Sequence, residues 1–485
     1  MSSREPAKSG ELVVLPQTVD SKPMTEKERK ALRDYERTIE AAAQKATEGF
    51  LEMATAFHKI REQRLYRESS PTFATYFNQR WHFGRSHANR IADAGKMLSN
   101  LSPRGDILDA MTSEAHFRPL GGLDEADQQS VVDLAQEWRH WRPVEPVKPA
   151  LLRSARSFLM PPVSPTQPDD VEQTLVARFG AIVDDVEAQL PANTGKEIQK
   201  LFDQLRKKAA ALAGPRSSTG IAWTTATWNP LQGCARVSAG CDRCYAAKLI
   251  ATRMADLYPG LARVKVAKDG TKSYAFLNKI VLLPEDLGQP LHDLTPKRFF
   301  VNSMSDLFHK NVPDDFIAAV FDVMKKAHWH QFQVLTKRPE RMATFTATYF
   351  KDEEPPGNIW LGASTENQEA FDERILWLRK TKAAVRWLSC EPLLGPITFD
   401  SAKEIDWVVA GGESDSDRKM EKAWATSLRD QCKKAGIPYF FKQWGSFDEA
   451  GDGPKREKHD PLTPPTVDGV IHNAYPKPLP GERAG

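Results

Sequence analysis

The feature that most constrains this chain is a recurrence of short apolar runs after Gly220. IAWTTATW, NKIVLLP, RFFVNS, QFQVLT, NIWLGA, VRWLSC, DWVVAGG and YFFKQW follow one another, eight in all, most of them ending in a polar cluster. Amphipathic helical stretches lie between most of them, among them VPDDFIAAVFDVMKKA, QEAFDERILWLRKT and AWATSLRDQCKKAG. Strands that alternate with helices return to one sheet in parallel, because each crossover carries the chain back to the starting edge. Eight such units in about 225 residues predict an α/β fold, a closed (β/α)8-type, TIM-like barrel, within 215–485, with a Pro-rich C-terminal tail.

In that fold the active site lies at the C-terminal ends of the strands. The runs end in Asn302-Ser303-Met304-Ser305-Asp306, Thr336-Lys337-Arg338, Ser364-Thr365-Glu366-Asn367, Cys390-Glu391, Gly411-Gly412-Glu413-Ser414 and Lys442-Gln443-Trp444. Solubility does not require six polar ends on one rim, since turns at the other rim would serve it equally well. Asp306, Lys337, Cys390 and Glu413 are the candidate catalytic residues. Ser364, Glu366, Gly411, Gly412, Glu413 and Lys442 are the candidate cofactor contacts. Each has a structural alternative. Lys337, Arg338 and Lys442 could form rim ion pairs with Asp306, Glu366, Glu391 and Glu413. Cys390 could be a small buried residue, and Trp228 and Trp444 could be core or a stacking platform for a base.

The loop after the first run reads TWNPLQGCARVSAGCDRCY and holds Cys234, Cys241 and Cys244 in a C-x6-C-x2-C spacing. The other two cysteines, Cys390 and Cys432, are far away in sequence, which argues against a disulfide framework and for a reducing, cytoplasmic setting. Three thiolates on one loop suit an iron–sulfur cluster or zinc. A structural zinc site wants four ligands, and a cluster with an open position wants three. His292 and His309 could complete a set.

The N-terminal part is helical. Residues 1–25 are polar and expected to be disordered; 26–159 form an all-α region, 160–169 a Pro-rich linker and 170–214 a helical hairpin. Within the all-α region, TFATYFNQRW and SHANRIADAGKML flank a His82-Phe83-Gly84 turn, with Ser86 as the expected cap. Helix, short turn with Gly, helix is the helix-turn-helix pattern. Arg85, His87, Asn89 and Arg90 would then meet base edges, and Met53–Asn100 carries eight Lys/Arg against three Asp/Glu. The whole chain is nearly balanced at +3, so a nucleic-acid site must be local. Nothing approaches 18 consecutive apolar residues, so no membrane partner is expected, and no secretory h-region opens the chain.

Two resemblances add to this. The segment SPTFATYFNQRWHFGRSHANRIADAGKML, with LSPRGD and FRPLGGLDEADQQSVVDLAQEW, resembles an N-terminal module of phage and plasmid proteins that is similar to the DNA-binding part of ParB-type partition proteins. The strings TWNPLQGCARVSAGCDRCYA, NSMSDLFH, VLTKRPERM, IWLGASTEN, CEPLLGPI, VVAGGES, FFKQWG and VDGVIHNAYP resemble a phage- and prophage-associated three-cysteine-motif family over about 220–475. That family is similar to radical S-adenosylmethionine barrels such as spore photoproduct lyase. The resemblance implies that Cys234, Cys241 and Cys244 hold a four-iron–four-sulfur (4Fe-4S) cluster whose open iron binds S-adenosylmethionine, and that a phage-encoded partner exists. The first cysteine gap is longer than the usual C-x3-C-x2-C. Gly411-Gly412-Glu413 also follows the seventh run rather than the second. The alternatives are a non-enzymatic phage DNA-binding protein with a structural metal site and a zinc-dependent hydrolase using the rim carboxylates.

Overall fold

The computed structural model describes residues 49–67, 70–81, 83–101, 106–143, 147–161, 219–266, 272–399, 404–414, 417–452 and 464–477. The expected disordered start, all but the first two residues of the linker and nearly all of the 170–214 hairpin lie outside these. The chain divides into two compact units, Met1–Glu114 and Ala115–Gly485.

In the first unit, α1 covers residues 49–62, α2 is Phe73–Trp81 and α3 is Arg85–Asn100. The aromatic spacing of α2 buries Phe73 and Phe77, whose rings lie 4.5 Å apart, with Phe57 of α1 4.0 Å from Phe77. Helix α3 turns Ala88, Ile91, Ala92, Ala94, Gly95 and Leu98 inward, the 3.6-residue period read in the sequence. A Cβ on Gly95 would stand 2.0 Å from the Ala54 carbonyl oxygen, so α1 and α3 touch backbone to backbone there. The N-cap is Gly84, not Ser86; the helix opens one turn position earlier than its best capping side chain.

The second unit is built on seven strands: β1 Ala226–Trp228, β2 Arg298–Val301, β3 Gln331–Thr336, β4 Ile359–Ser364, β5 Val385–Cys390, β6 Trp407–Gly411 and β7 Tyr439–Gln443. They lie in chain order in one sheet, and all six pairings are parallel. Among the described residues β1 and β7 do not pair, so the expected closed eight-stranded barrel is instead a seven-stranded, curled half-barrel. The miscounted run is NKIVLLP. Asn278 sits at φ 59° and Pro284 offers no N–H, which leaves only Val281–Leu282 extended. That pair folds back antiparallel onto Leu231–Gln232 beside the cysteine loop. The curl is visible in the core. Trp223, just before β1, lies 5.4 Å from Trp387 of β5 and 6.3 Å from Trp407 of β6. A flat sheet with strands about 4.8 Å apart would hold β1 and β5 about 19 Å apart.

The concave face carries Phe300, Trp360, Trp387, Trp407, Val409 and Phe440, all buried, with Trp223 among them. A Cβ on Gly362 would come within 2.4 Å of the Trp387 ring, so this position is glycine because the indole lies across it. The C-terminal segment finishes this end. Tyr475 stacks 5.3 Å from Trp407, the Arg298 guanidinium lies 4.0 Å over the Tyr475 ring, and Trp407 Nε1 donates to the Ala474 carbonyl at 2.8 Å. The same segment runs along the free edge of β7, with Phe441 N–H bonded to His472 O at 2.8 Å and Asn473 bridging Phe440.

Helices α4 (Glu125–Arg139) and α5 (Pro149–Leu159) pack with this sheet rather than with the first unit, so the boundary falls at 114 and not at 159. Glu285 accepts from Arg142 at 3.2 Å and Lys148 at 2.7 Å, and Trp141 stacks edge-on against Phe316 at 4.8 Å. At Gly288 a Cβ would lie 2.7 Å from Ser154 Cα, so α5 rests directly on this backbone. Gly288→Leu will therefore push α5 outward and cost about 1–3 kcal/mol. The check is a urea titration together with faster tryptic cutting within 147–161. The remaining helices, α6 (Tyr245–Ala251), α7 (Asp314–Lys326), α8 (Pro339–Tyr349), α9 (Gln368–Lys380) and α10 (Lys422–Ala435), lie between strands. No described helix is long and apolar enough to cross a membrane.

Candidate functional site

The polar strand ends meet at one mouth, and the cysteine loop lies across it. Three strand ends grip the loop. From the end of β3, Arg338 donates to the Ala235 carbonyl at 3.1 Å and to Cys234 Sγ at 3.8 Å. It is itself anchored by Asp306 at 2.5 Å, which also accepts from Thr336 Oγ1 at 2.7 Å. From the end of β4, Glu366 accepts the Gly240 N–H at 3.2 Å. After β6, Arg418 donates to the Ala239 carbonyl at 3.3 Å and to Glu413 at 2.6 Å. Downstream of the loop, Tyr245 Oη donates to Ser303 O at 2.7 Å, and Arg243 pairs with Asp417.

Cys234, Cys241 and Cys244 are each half-buried on this loop. Burial, and then the Asp306 charge, push the Cys234 thiol up to about 12 against the pull of Arg338. Burial also raises the Cys244 thiol, against the positive charge of Lys337. Glu366 is different. Burial would raise it, but the charges of Arg374 and Lys337 and the Gly240 N–H outweigh burial and hold it below the usual carboxylate range. The Lys337 charge thus acts on both Cys244 and Glu366.

Most of the predicted carboxylates are ion-paired. Asp306 pairs with Arg338, Glu413 with Arg418, Glu391 with Lys442, and Glu366 with Arg374 at 2.8 Å, the last pair 1% and 2% exposed. The rim ion pairs weighed from the sequence therefore exist, with Arg374 and Arg418 as cations the sequence reading passed over. Ser364 is buried at its strand end. Cys390 points away from the mouth. Alternation along β5 puts Ser389 on the concave side and Cys390 on the helix side, where burial drives its thiol up to about 12 and Thr365 Oγ1 lies 3.4 Å away. Gly412 has a packing reason: a Cβ there would stand 2.4 Å from Trp444 O. His309 bonds Asn278 at 3.0 Å and is held down near 4, chiefly by burial. At the end of β2, Asn302 is 3% exposed at φ 65°, and neither atom of its amide has a partner among the described residues.

In the first unit, Arg85 is exposed, but Asn89 turns back to bond Arg85 O at 3.0 Å. Arg90 pairs with Glu114 at 3.0 Å, and His87 stands 4.0 Å from the same carboxylate. Two of the four predicted base-reading residues thus share one acid.

The donor chemistry separates the candidate metals. A single zinc ion needs its ligands around one point, and among the described residues no three His, Cys, Asp or Glu side chains gather that way. A four-iron cluster spreads its thiolates over different irons, which suits three cysteines strung along one braced loop. A family model described as "Protein of unknown function (DUF5131)" matches residues 218–476. No curated protein and no solved structure matches the chain.

Proposed function

This chain belongs to the DUF5131 family of proteins of unknown function, and we propose that it is an iron–sulfur enzyme of the radical S-adenosylmethionine type acting on nucleic acid. The observation that supports this reading is the cysteine loop braced across the mouth from the ends of β3, β4 and β6. A thiol set that served only as a staple would not need grips from three strand ends. When bound, a cluster with S-adenosylmethionine supplies the one-electron chemistry that starts a radical reaction. Cys234, Cys241 and Cys244 would hold it. Arg338 fixes Cys234 relative to β3, and the Lys337 charge offsets thiolate charge at Cys244. The Lys442–Glu391 pair offers one cation and one anion to the amine and carboxylate of an amino-acid head group. Glu413, engaged by Arg418, keeps the loop in place rather than meeting the cofactor. The nucleic-acid part rests on α2 and α3 with the exposed Arg85.

Anaerobic reconstitution with iron and sulfide tests it. The wild type should turn brown and, once reduced, give a paramagnetic signal that changes when S-adenosylmethionine is added. Cys234→Ala, Cys241→Ala and Cys244→Ala should each cut bound iron at least about tenfold while keeping the fold. A colourless, iron-free wild type sinks the reading. Variants that unfold instead support a structural staple.

A further inference from the structure

Between β1 and β2 the chain throws out an antiparallel ribbon, Ala262–Val266 paired with Lys272–Phe276. Successive strand residues point to opposite faces, yet Arg263, Val264, Lys265 and Val266 are all exposed. Neither face of the distal ribbon is covered, and Val266 is 63% exposed. A bare two-stranded ribbon is marginally stable by itself, and this one is held only at its root, where Ala262 and Phe276 pack on Ala246, Ile250, Leu261 and Met304. Cys244 packs against the same small core, which roots the ribbon beside the cysteine loop.

Charge says what the ribbon meets. The described residues of 249–280 hold five exposed cations, Arg253, Arg263, Lys265, Lys272 and Lys279, and one carboxylate, Asp256. None of the five has an ion pair among the described residues, whereas most basic side chains around the mouth are matched. Arg263, Lys265 and Ser273 share one face, with Val264, Val266, Tyr274 and Lys272 on the other. We propose that this ribbon is a duplex DNA-binding element that enters the major groove, Arg263 and Lys265 facing the base edges and Lys272 a phosphate. The major groove of B-form DNA admits a two-stranded ribbon, and arginine and lysine are the residues that read guanine there. The major groove of duplex RNA is too deep and narrow for this. The inference deepens the nucleic-acid reading above by naming duplex DNA, but it does not depend on the cluster.

The test is fluorescence anisotropy of the full chain with a short labelled duplex over a salt series, without added iron. Arg263→Gln/Lys265→Gln/Lys272→Gln should weaken binding at least about tenfold and flatten the log–log salt slope by about 2–3, near 0.9 for each lost phosphate contact. All three side chains are exposed, and an unchanged melting temperature confirms the fold. Arg85→Gln in the first unit serves as the comparison and should leave the ribbon's share of the slope in place. A wild type that does not bind duplex DNA overturns the proposal, as does a triple variant with wild-type affinity and slope. Ribbon-dependent binding that prefers single-stranded DNA or duplex RNA overturns the assignment to duplex DNA. Because no iron is present, failure here and failure of cluster assembly are separate results.

Discussion

Arg374→Met will destabilise the protein by about 3–5 kcal/mol, because it leaves the Glu366 carboxylate buried without its cation. Arg374 is 2% exposed, donates to Glu366 at 2.8 Å and also donates to Ser364 O at 2.7 Å. Both acceptors lie in the sealed layer between β4 and α9. The sign with pH follows from Glu366. Its folded carboxyl is held below the ordinary value, so its stabilising contribution is present in full above the unfolded value of about 4.3 and is lost as pH falls through the folded value. The gap between wild type and variant in urea titrations should therefore be widest near neutrality and narrow below about pH 4. A variant as stable as the wild type at pH 7 would mean that Glu366 finds water or Lys337 instead. The change also slackens the β4 grip on Gly240 and should lower iron uptake.

Trp407→Ala is expected to cost about 3–5 kcal/mol as well, from lost transfer energy and the cavity left behind. Trp407 is wholly buried and its ring meets those of Trp223, Trp360, Trp387, Phe440 and Tyr475. No single neighbour can collapse into the hole without unstacking another. Its Nε1 also holds Ala474, so residues 464–477 should be released together with it. The checks are a shifted urea midpoint, loss of near-ultraviolet dichroism and early proteolysis of that segment. Near-neutral stability would show that the aromatic layer re-forms around the gap.

The parallel α/β alternation was legible because seven of the eight apolar runs are long enough to be strands and are separated by amphipathic helices. NKIVLLP failed for a local reason, a left-handed asparagine and a proline two residues apart from a usable strand. Closure was not legible at all, since the pairing of first with last strand leaves no periodic trace. Which strand ends carry polar residues could be read directly; which of those residues are matched could not. Arg418 lies in an unpatterned polar stretch. Arg374 did leave a signal: it sits on the apolar face of α9 with Phe371, Ile375 and Leu378, and a charge at such a position implies a buried partner. Cys390 was misplaced by treating a strand end as a single point. One residue of alternation separates Ser389, facing inward, from Cys390, facing the helices.

The strip from His472 to Ala474 along β7 bears on how the molecule lives among its own copies. A sheet that never closes ends in a strand whose N–H and C=O groups invite another chain. Here the invitation is answered from within, by a segment that comes from the same polypeptide and is tied down through Tyr475 and Trp407. Peel that strip away, by a protease or by a substitution beneath it, and the vacant edge becomes a seed. Self-association would then rise with concentration, and solubility would fail well before the rest of the half-barrel unfolds.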